Sequence, residues 1–326
     1  MNKKIKWGII GLGNSAKKFT QDLARAQNSA LHSVASRDRE KAKQFSQDNN
    51  DVTFYDSYKE LAQNSGSDIV YITTPHAFHF EHTMMCLKEG KSVLCEKPLG
   101  MNANEIEEII KEAKSRNLFL MEGLSTRFLP STEKALSLIE KKFIGDITSI
   151  RADFGFNASS LKGGRLFDKK LGGGSLLDIG IYPIYLSLIL LGTPSKIKAM
   201  ARFTDTEVDS FCAMLFDYEN NAKAILDSNL ETMTSNEAYI YGTRGVLKLH
   251  RNFSHAQKIS IFINGKPVFN FDLKFEGNGY LHEIEEVNNC LLNGKIESEK
   301  LPHTASLNLA QIMDRVKDEI GLDFES

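Results

Sequence analysis

The first third of the chain alternates short apolar runs with amphipathic stretches. Ile5 to Ile10 is an apolar run of strand length that ends at Gly11. Ala16, Phe19 and Leu23 then repeat at i, i+3 and i+7, which puts three side chains on one helix face. Leu31 to Ala35, Asp68 to Thr74, Ser92 to Cys95 and Leu118 to Met121 are further strand-like runs. Ala77 to Glu89 predicts a helix that stops at Gly90. Asn102 with Glu105 predicts a capping box before a helix with Ile106, Ile109, Ile110 and Ala113 on one face. Repeated strand–helix units predict a parallel sheet covered on both faces.

After about Gly123 the pattern changes. A long helix is predicted from Ser175 to Leu191, stopped by Gly192-Thr193-Pro194. Strand candidates follow without helices between them: Ser195 to Phe203, Val208 to Tyr218, Ala222 to Leu230, Ala238 to Gly242, Val246 to His250, Ile259 to Ile263 and Val268 to Phe271. Turn signals such as Glu219-Asn220-Asn221 and Asn264-Gly265-Lys266-Pro267 join them. This grammar predicts an antiparallel sheet. Two amphipathic helices close the chain, the last with Leu309, Ile312, Met313, Val316 and Ile320 on one face. The expected class is α/β, with one domain over residues 1–122 and a second α+β domain over 123–326, the C-terminal helix packing back on the first.

Composition narrows the function classes. At 326 residues, 41% hydrophobic and 25% charged, the chain reads as a folded globular protein of two domains. Forty basic residues against 42 acidic leave a net charge of −2. That balance lacks the basic excess of a nucleic-acid or membrane-surface binder, so neither partner is expected. Cys86, Cys95, Cys212 and Cys290 form no C-x-x-C pair and read as reduced core residues, which predicts a cytoplasmic location. Residues 1–13 carry lysines and Ile9-Ile10, but Gly8, Gly11 and Gly13 break the run, so no secretory signal is expected. No stretch is read as approaching the roughly 20 apolar residues of a membrane span.

Gly11-Leu12-Gly13-Asn14-Ser15-Ala16 lies between the first strand and the first helix, the context that a G-x-G-x-x-A dinucleotide fingerprint requires. Gly11 permits the tight turn, Gly13 lets the backbone approach a pyrophosphate, and Ala16 lets the helix pack closely on the strand. The first domain is therefore expected to be a doubly wound Rossmann sheet. The second strand ends Ala35-Ser36-Arg37-Asp38, about 25 residues past the fingerprint. An NAD site places an acid there; here Ser36 and Arg37 suit a 2′-phosphate, so NADP(H) is preferred and NAD(H) remains open through Asp38.

Glu96-Lys97-Pro98 ends a strand at the carboxyl edge of the sheet, where such folds bind ligands. Gly172-Gly173-Gly174-Ser175 opens the long helix, and Asp178 and Tyr182 follow at i, i+4 on a shared face. Oxidising an alcohol requires removing its hydroxyl proton as hydride leaves carbon. A tyrosine has a free pKa of about 10, and a lysine cation beside it favours the phenolate. Lys97 with Tyr182 thus predicts a proton-handling pair for alcohol oxidation and carbonyl reduction. The alternative reading of Asp178 and Tyr182 is a buried hydrogen bond.

Taken together, the G-x-G-x-x-A start, Glu96-Lys97-Pro98 and the Gly-Gly-Gly-x-Leu-x-Asp-x-Gly helix start resemble the glucose-fructose oxidoreductase / inositol dehydrogenase (Gfo/Idh/MocA) family. Ser92 to Gly100 and Leu177 to Tyr182 resemble its branch of dimeric dihydrodiol dehydrogenases and NADP-linked D-xylose dehydrogenases. The resemblance implies that Lys97 is the catalytic lysine and that Asp178 lies in the active site. It implies a large open, mostly antiparallel sheet that supports a homodimer or homotetramer, with Arg151 and Arg202 as candidate contacts. Thr73, Thr74, Pro75, His76 and His79 resemble the segment beside the cofactor. Tyr182 stands where many members have histidine, a mark of the dihydrodiol branch. Ser125 stands where the mammalian-type diol enzymes have tryptophan, which favours a more polar substrate such as an aldopyranose. Arg127 and Phe154 are further substrate candidates, and Phe253, Phe275 and Glu276 possible walls. His76, His79 and His82 invite a zinc reading, yet no cysteine or acid completes a ligand set, so no metal is expected. The implied activity is hydride transfer between a nicotinamide and a sugar or cyclic trans-diol. A cofactor- or sugar-sensing regulator and an NAD-dependent glycoside hydrolase on the same fold stand as alternatives.

Overall fold

A computed structural model describes residues 4–324. They divide into two compact units, one running up to Phe128 and taking in Glu276–Leu307, the other Leu129–Phe275 with the described residues from Asn308 on.

In the first unit the elements run β1 (Ile5–Ile10), α1 (Asn14–Leu23), β2 (Ser29–Ala35), α2 (Arg39–Gln47), β3 (Thr53–Tyr55), α3 (Tyr58–Asn64), β4 (Ile69–Ile72), α4 (His79–Lys88), β5 (Ser92–Glu96), α5 (Ala103–Ser115) and β6 (Leu120–Gly123). The strands form one parallel sheet in the order β3-β2-β1-β4-β5-β6. This is the doubly wound arrangement, with its switch point between β1 and β4. The central strand β4 is apolar and buried throughout because both faces are covered. The periodicity had not singled out α2, β3 or α3, which are short and rich in polar residues. Asn102 caps α5 as expected, accepting from the Glu105 N–H at 2.9 Å. The reciprocal bond runs from the Met101 N–H, one residue earlier than a capping box places it.

The second unit opens with α6 (Pro130–Glu140) and β7 (Ile147–Gly155). Neither was expected. β7 alternates Ser149, Arg151 and Asp153 with Ile150, Ala152 and Phe154, a period-2 pattern that follows the turn at Gly145-Asp146. It is central. Then come α7 (Ile181–Leu191), β8 (Lys196–Phe203), β9 (Asp209–Asp217), β10 (Lys223–Asn229), β11 (Ala238–Gly242), β12 (Val246–Leu249), β13 (Lys258–Ile263) and β14 (Lys266–Asp272). The sheet order is β14-β13-β12-β11-β7-β10-β9-β8. Only the β7–β10 pair is parallel. The segment Lys169–Leu191 is, by length and composition, apolar enough to cross a membrane, which corrects the expectation that no stretch approaches that length. Its most apolar window is 72% buried within the protein, so these side chains serve the core.

α8 (Leu281–Leu292) returns to the first unit, and the division falls inside α9 (His303–Ile320). The first compact unit thus takes in Glu276–Leu307 as well as the residues before Leu129. The physical reason is Asp22. Its fully buried carboxylate accepts from the backbone N–H groups of Asn278 and Tyr280, each at 2.9 Å. Trp7 Nε1 likewise donates to Asn288 at 3.1 Å. Buried polar groups need such partners, and here a distant segment supplies them.

Candidate active site

The first unit carries a cradle where β1 meets α1. Gly11 has a φ of +87°, and a Cβ there would lie 2.8 Å from the Thr73 carbonyl oxygen, so this turn requires glycine. Nothing lies within 4 Å of where a Gly13 Cβ would be, which leaves that backbone open to approach. α1 starts at Asn14 and Ser15 with no side-chain cap and no acid in its first turn. Its N–H groups and dipole are thus available to an anion. Ala16 is fully buried on the inner face. These residues fit the pyrophosphate of a dinucleotide.

At the end of β2 the Asp38 carboxylate accepts from Lys41 N–H at 3.1 Å and caps α2. The Asp38 N–H donates to Ser36 Oγ at 3.2 Å. Arg37 is exposed, with its guanidinium carbon 5.8 Å from the centre of the Phe78 ring. Burial, and then the Arg37 charge, push the His82 pKa down to about 4.

Thr73 N–H donates to the Ile10 carbonyl at 2.9 Å. Thr74 Oγ1 is 3.0 Å from His82 Nδ1. Pro75 then leads into a single 3₁₀ turn, His76–Phe78. His76 is buried, its ring centre 5.7 Å from that of His79. His79 bridges two carbonyls: Nε2 lies 2.7 Å from Thr74 O and Nδ1 lies 2.6 Å from Pro98 O. Two acceptors favour the protonated ring and burial disfavours it. Burial is the larger effect and holds the pKa at about 4. Among the described residues no three His, Cys, Asp or Glu are arranged to hold a metal.

Lys97 follows β5 and is half-buried. Its segment is fixed on its far side by His79 at Pro98 and by the Leu99 N–H, which donates to Glu122 Oε1 at 2.9 Å. Burial pushes the Glu122 pKa up to about 7. Before Lys97, Glu96 accepts from the Tyr71 hydroxyl at 2.5 Å, and burial raises its pKa too. Glu283 on α8 is buried with no hydrogen-bond partner for either oxygen, and burial raises its pKa well above the carboxylate range. The strand end before Lys97 and the segment after it are thus bordered by the buried carboxyls of Glu96 and Glu122, whose pKa values burial raises. Sequence reasoning missed Glu122 and Glu283. The available signal was a lone acid inside the apolar run Phe119-Leu120-Met121-Glu122. Arg127 sits in a 3₁₀ turn of this unit, and its Nε donates to the Lys300 carbonyl at 2.8 Å.

The second unit carries Phe154, Asp178 and Tyr182. The expected single α-helix from Ser175 is instead a π-helical turn, Leu176–Gly180, continuing into α7. Pro183 supplies the reason. It has no N–H for the carbonyl four residues back, and its ring would clash there, so the wider turn relieves the start of the helix. Asp178 lies on the π turn and Tyr182 in the first turn of α7. Asp178 Oδ1 pairs with Arg165 Nη2 at 2.9 Å, an ion pair between a 38% exposed and a 13% exposed side chain. The sequence had not flagged Arg165; its signal lay in a pairing across 13 residues that no helical period suggests. The Tyr182 ring lies 5.5 Å from Phe154, which meets buried Phe253 edge-on at 6.2 Å. A phenol and a carboxylate beside an aromatic wall can bind a ring and exchange a proton with its hydroxyl. Phe275 is half-buried and Glu276 exposed.

Residues 5–124 match the oxidoreductase family described as having an NAD-binding Rossmann fold, and residues 132–248 match the GFO/IDH/MocA C-terminal domain. The chain is 36% identical over 330 residues to a trans-1,2-dihydrobenzene-1,2-diol dehydrogenase of Xenopus tropicalis, covering 98% of this chain and 99% of that one. The human protein of that name is 35% identical, with 98% of each chain covered. Among solved structures, a 3-ketoreductase from Actinomadura kijaniata in complex with NADP and TDP-benzene superposes with a TM-score of 0.89 at 25% identity, covering 98% of both chains. An aldose-aldose oxidoreductase from Caulobacter crescentus shares the fold at a TM-score of 0.88, with 23% identity and 97% of each chain covered. With both domains matched in order and full-length relatives above 30% identity, this chain belongs to the Gfo/Idh/MocA family of oxidoreductases and carries that family's nicotinamide-binding Rossmann domain.

Proposed function

We propose that this enzyme is an NADP(H)-dependent dehydrogenase/reductase acting on a hydroxyl or carbonyl carbon of a sugar or a cyclic trans-diol. In this reading Tyr182 takes up or returns the hydroxyl proton, Asp178 accepts from a substrate hydroxyl, and Lys97 is the catalytic lysine that the family resemblance implies. The nicotinamide, when bound, accepts or donates the hydride. The observation that carries the reading is the polar pair Asp178 and Tyr182 set against Phe154. The NADP(H) preference is supported by Asp38, whose carboxylate caps α2 while Arg37 stays exposed. Ser125, small and buried, favours a polar ring over a purely aromatic one. The four cysteines are free and buried, as suits the reducing cytoplasm.

We extend the proposal to a homodimer or homotetramer through the second sheet. Met200, Leu215 and Ile225 are 79%, 48% and 45% exposed on three neighbouring strands, an apolar surface of the kind that association covers. Light scattering should give a multiple of the 36.5 kDa chain mass, and a monomer at micromolar concentration would reject the extension.

The deciding experiment titrates purified protein with NADPH and NADH, then assays aldoses and trans-diols with the tighter cofactor. Tyr182→Phe should bind NADPH normally and lose turnover by about 10²–10⁴-fold. Full activity in that variant rejects the assigned role, and failure to bind either cofactor rejects the oxidoreductase reading.

A further inference from the structure

The helix that carries Asp178 and Tyr182 does not start on a conventional cap. Ser175, which precedes its π turn, makes no side-chain bond to the helix's own N–H groups. The cap comes instead from β9. Asp209, fully buried at the first position of that strand, turns its carboxylate onto the helix start. Its Oδ2 accepts from the Leu176 N–H at 2.8 Å and from the Ser175 hydroxyl at 2.5 Å. Ser175 Oγ is also 2.8 Å from Ser228 Oγ on the neighbouring strand β10. The other Asp209 oxygen, Oδ1, has no hydrogen-bond partner and lies where a Cβ on Gly174 would be. Gly174 has a φ of +104°, so its glycine meets both the backbone angle and the approach of the carboxylate.

The far end of the π turn rests on the same strands. A Cβ on Gly180 would lie 3.0 Å from Ser228 Oγ. The turn is therefore held at its beginning by Asp209 and Ser228, and its end packs close against Ser228, with Asp178 between these points and Tyr182 two residues beyond. A π turn is a rare interruption of the α-helical ladder, and here side chains from outside the helix fix its start.

We infer that Asp209 is a positioning residue for the reaction: its carboxylate, through Ser175 and Leu176, fixes the π turn and so sets where Asp178 and Tyr182 stand. The inference rests on the function proposed above. It adds that the reacting groups are aimed from side chains on two sheet strands, β9 and β10.

The test compares Asp209→Ala, Asp209→Asn and Ser175→Ala with Tyr182→Phe in one assay, with rates divided by the number of NADPH-binding sites titrated in each preparation. That division removes unfolded protein, so a purely structural role leaves the per-site rate unchanged. Asp209→Ala is expected to lose about 10- to 100-fold in kcat per site, as a displacement near 1 Å would cause. Asp209→Asn, which keeps an acceptor for both donors, should recover to within about threefold of the parent. Ser175→Ala should show a smaller loss and serves as the measurement if Asp209→Ala does not fold. Parent-like per-site rates in Asp209→Ala, or in Ser175→Ala if only that one folds, overturn the inference. So does an Asn variant as slow as the Ala variant. If Tyr182→Phe is inactive while Asp209→Ala is normal, only this inference falls. If Tyr182→Phe is fully active, the proposed function falls and this inference falls with it.

Discussion

The two units hold their candidate reactive side chains in different ways. Lys97 sits on irregular backbone past a strand end, and side chains on α4 and β6 lock that backbone: His79 at Pro98 and Glu122 at Leu99. Asp178 and Tyr182 sit on a helix, and the locking groups act on the start of that helix. A loop has no hydrogen-bond ladder of its own, so it needs partners residue by residue. A helix carries its internal bonds along and needs fixing only where the ladder is irregular. The first unit carries the buried carboxyls Glu122 and Glu283, and the second sets Asp209 at its helix start and the rings of Phe154 and Phe253 toward its phenol.

The sharpest way to break this comparison is to remove the lysine. Lys97→Ala should lower turnover by about 10²–10⁴-fold while the first unit still binds cofactor. Near-parent kcat would show that the locked loop presents nothing catalytic.

Next in size is Glu122→Gln, which keeps the acceptor for Leu99 N–H and removes the acid. Glu122 in the fold holds its proton up to about pH 7, whereas an unfolded glutamate releases it near 4.3. Between those values the folded state binds the extra proton, so its stabilising contribution is complete below the unfolded pKa and is lost as pH rises through about 7. The Gln variant should therefore gain stability relative to the parent between pH 5 and pH 8, by up to roughly 3 kcal/mol. Urea melts at the two pH values measure this, and parallel pH slopes in the two proteins would contradict it.

Arg37→Ala should weaken NADPH by roughly 10-fold or more, the effect of one charge-assisted bond, and leave NADH within about twofold. Equal weakening of both cofactors would move the discrimination elsewhere. The smallest effect is expected for Ser228→Ala on β10. Ser175 keeps its bond to Asp209, so stability should fall by about 1 kcal/mol and kcat by a few-fold at most. A larger fall would make Ser228, rather than Asp209, the main support of the π turn.

Local signals carried much of this protein. The fingerprint at Gly11 and Gly13, the strand end at Glu96-Lys97 and the helix with Asp178 and Tyr182 were legible because each depends on residues close in sequence: a tight turn, an apolar run, a helical spacing. The change from alternating strands and helices to consecutive strands separated the two sheet types for the same reason. The Ser36-Arg37 pair was legible as chemistry, but the employment of Asp38 as a helix cap was not weighed, although its place just before α2 is where a cap belongs.

What only the tertiary structure decided was long-range. β7 became the centre of its sheet through pairing with β10 and β11, strands about 70 to 90 residues away, and its own polar pattern gave no sign of that. Asp22 drew residues 276–307 into the first unit because a buried carboxylate must find donors wherever the chain can bring them. Arg165 on Asp178, Glu122 at the Leu99 N–H and Asp209 at the helix start follow the same rule. Burial makes an unpaired charge or N–H costly, but the sequence does not say which distant partner will relieve it, since that depends on the path of the backbone between them.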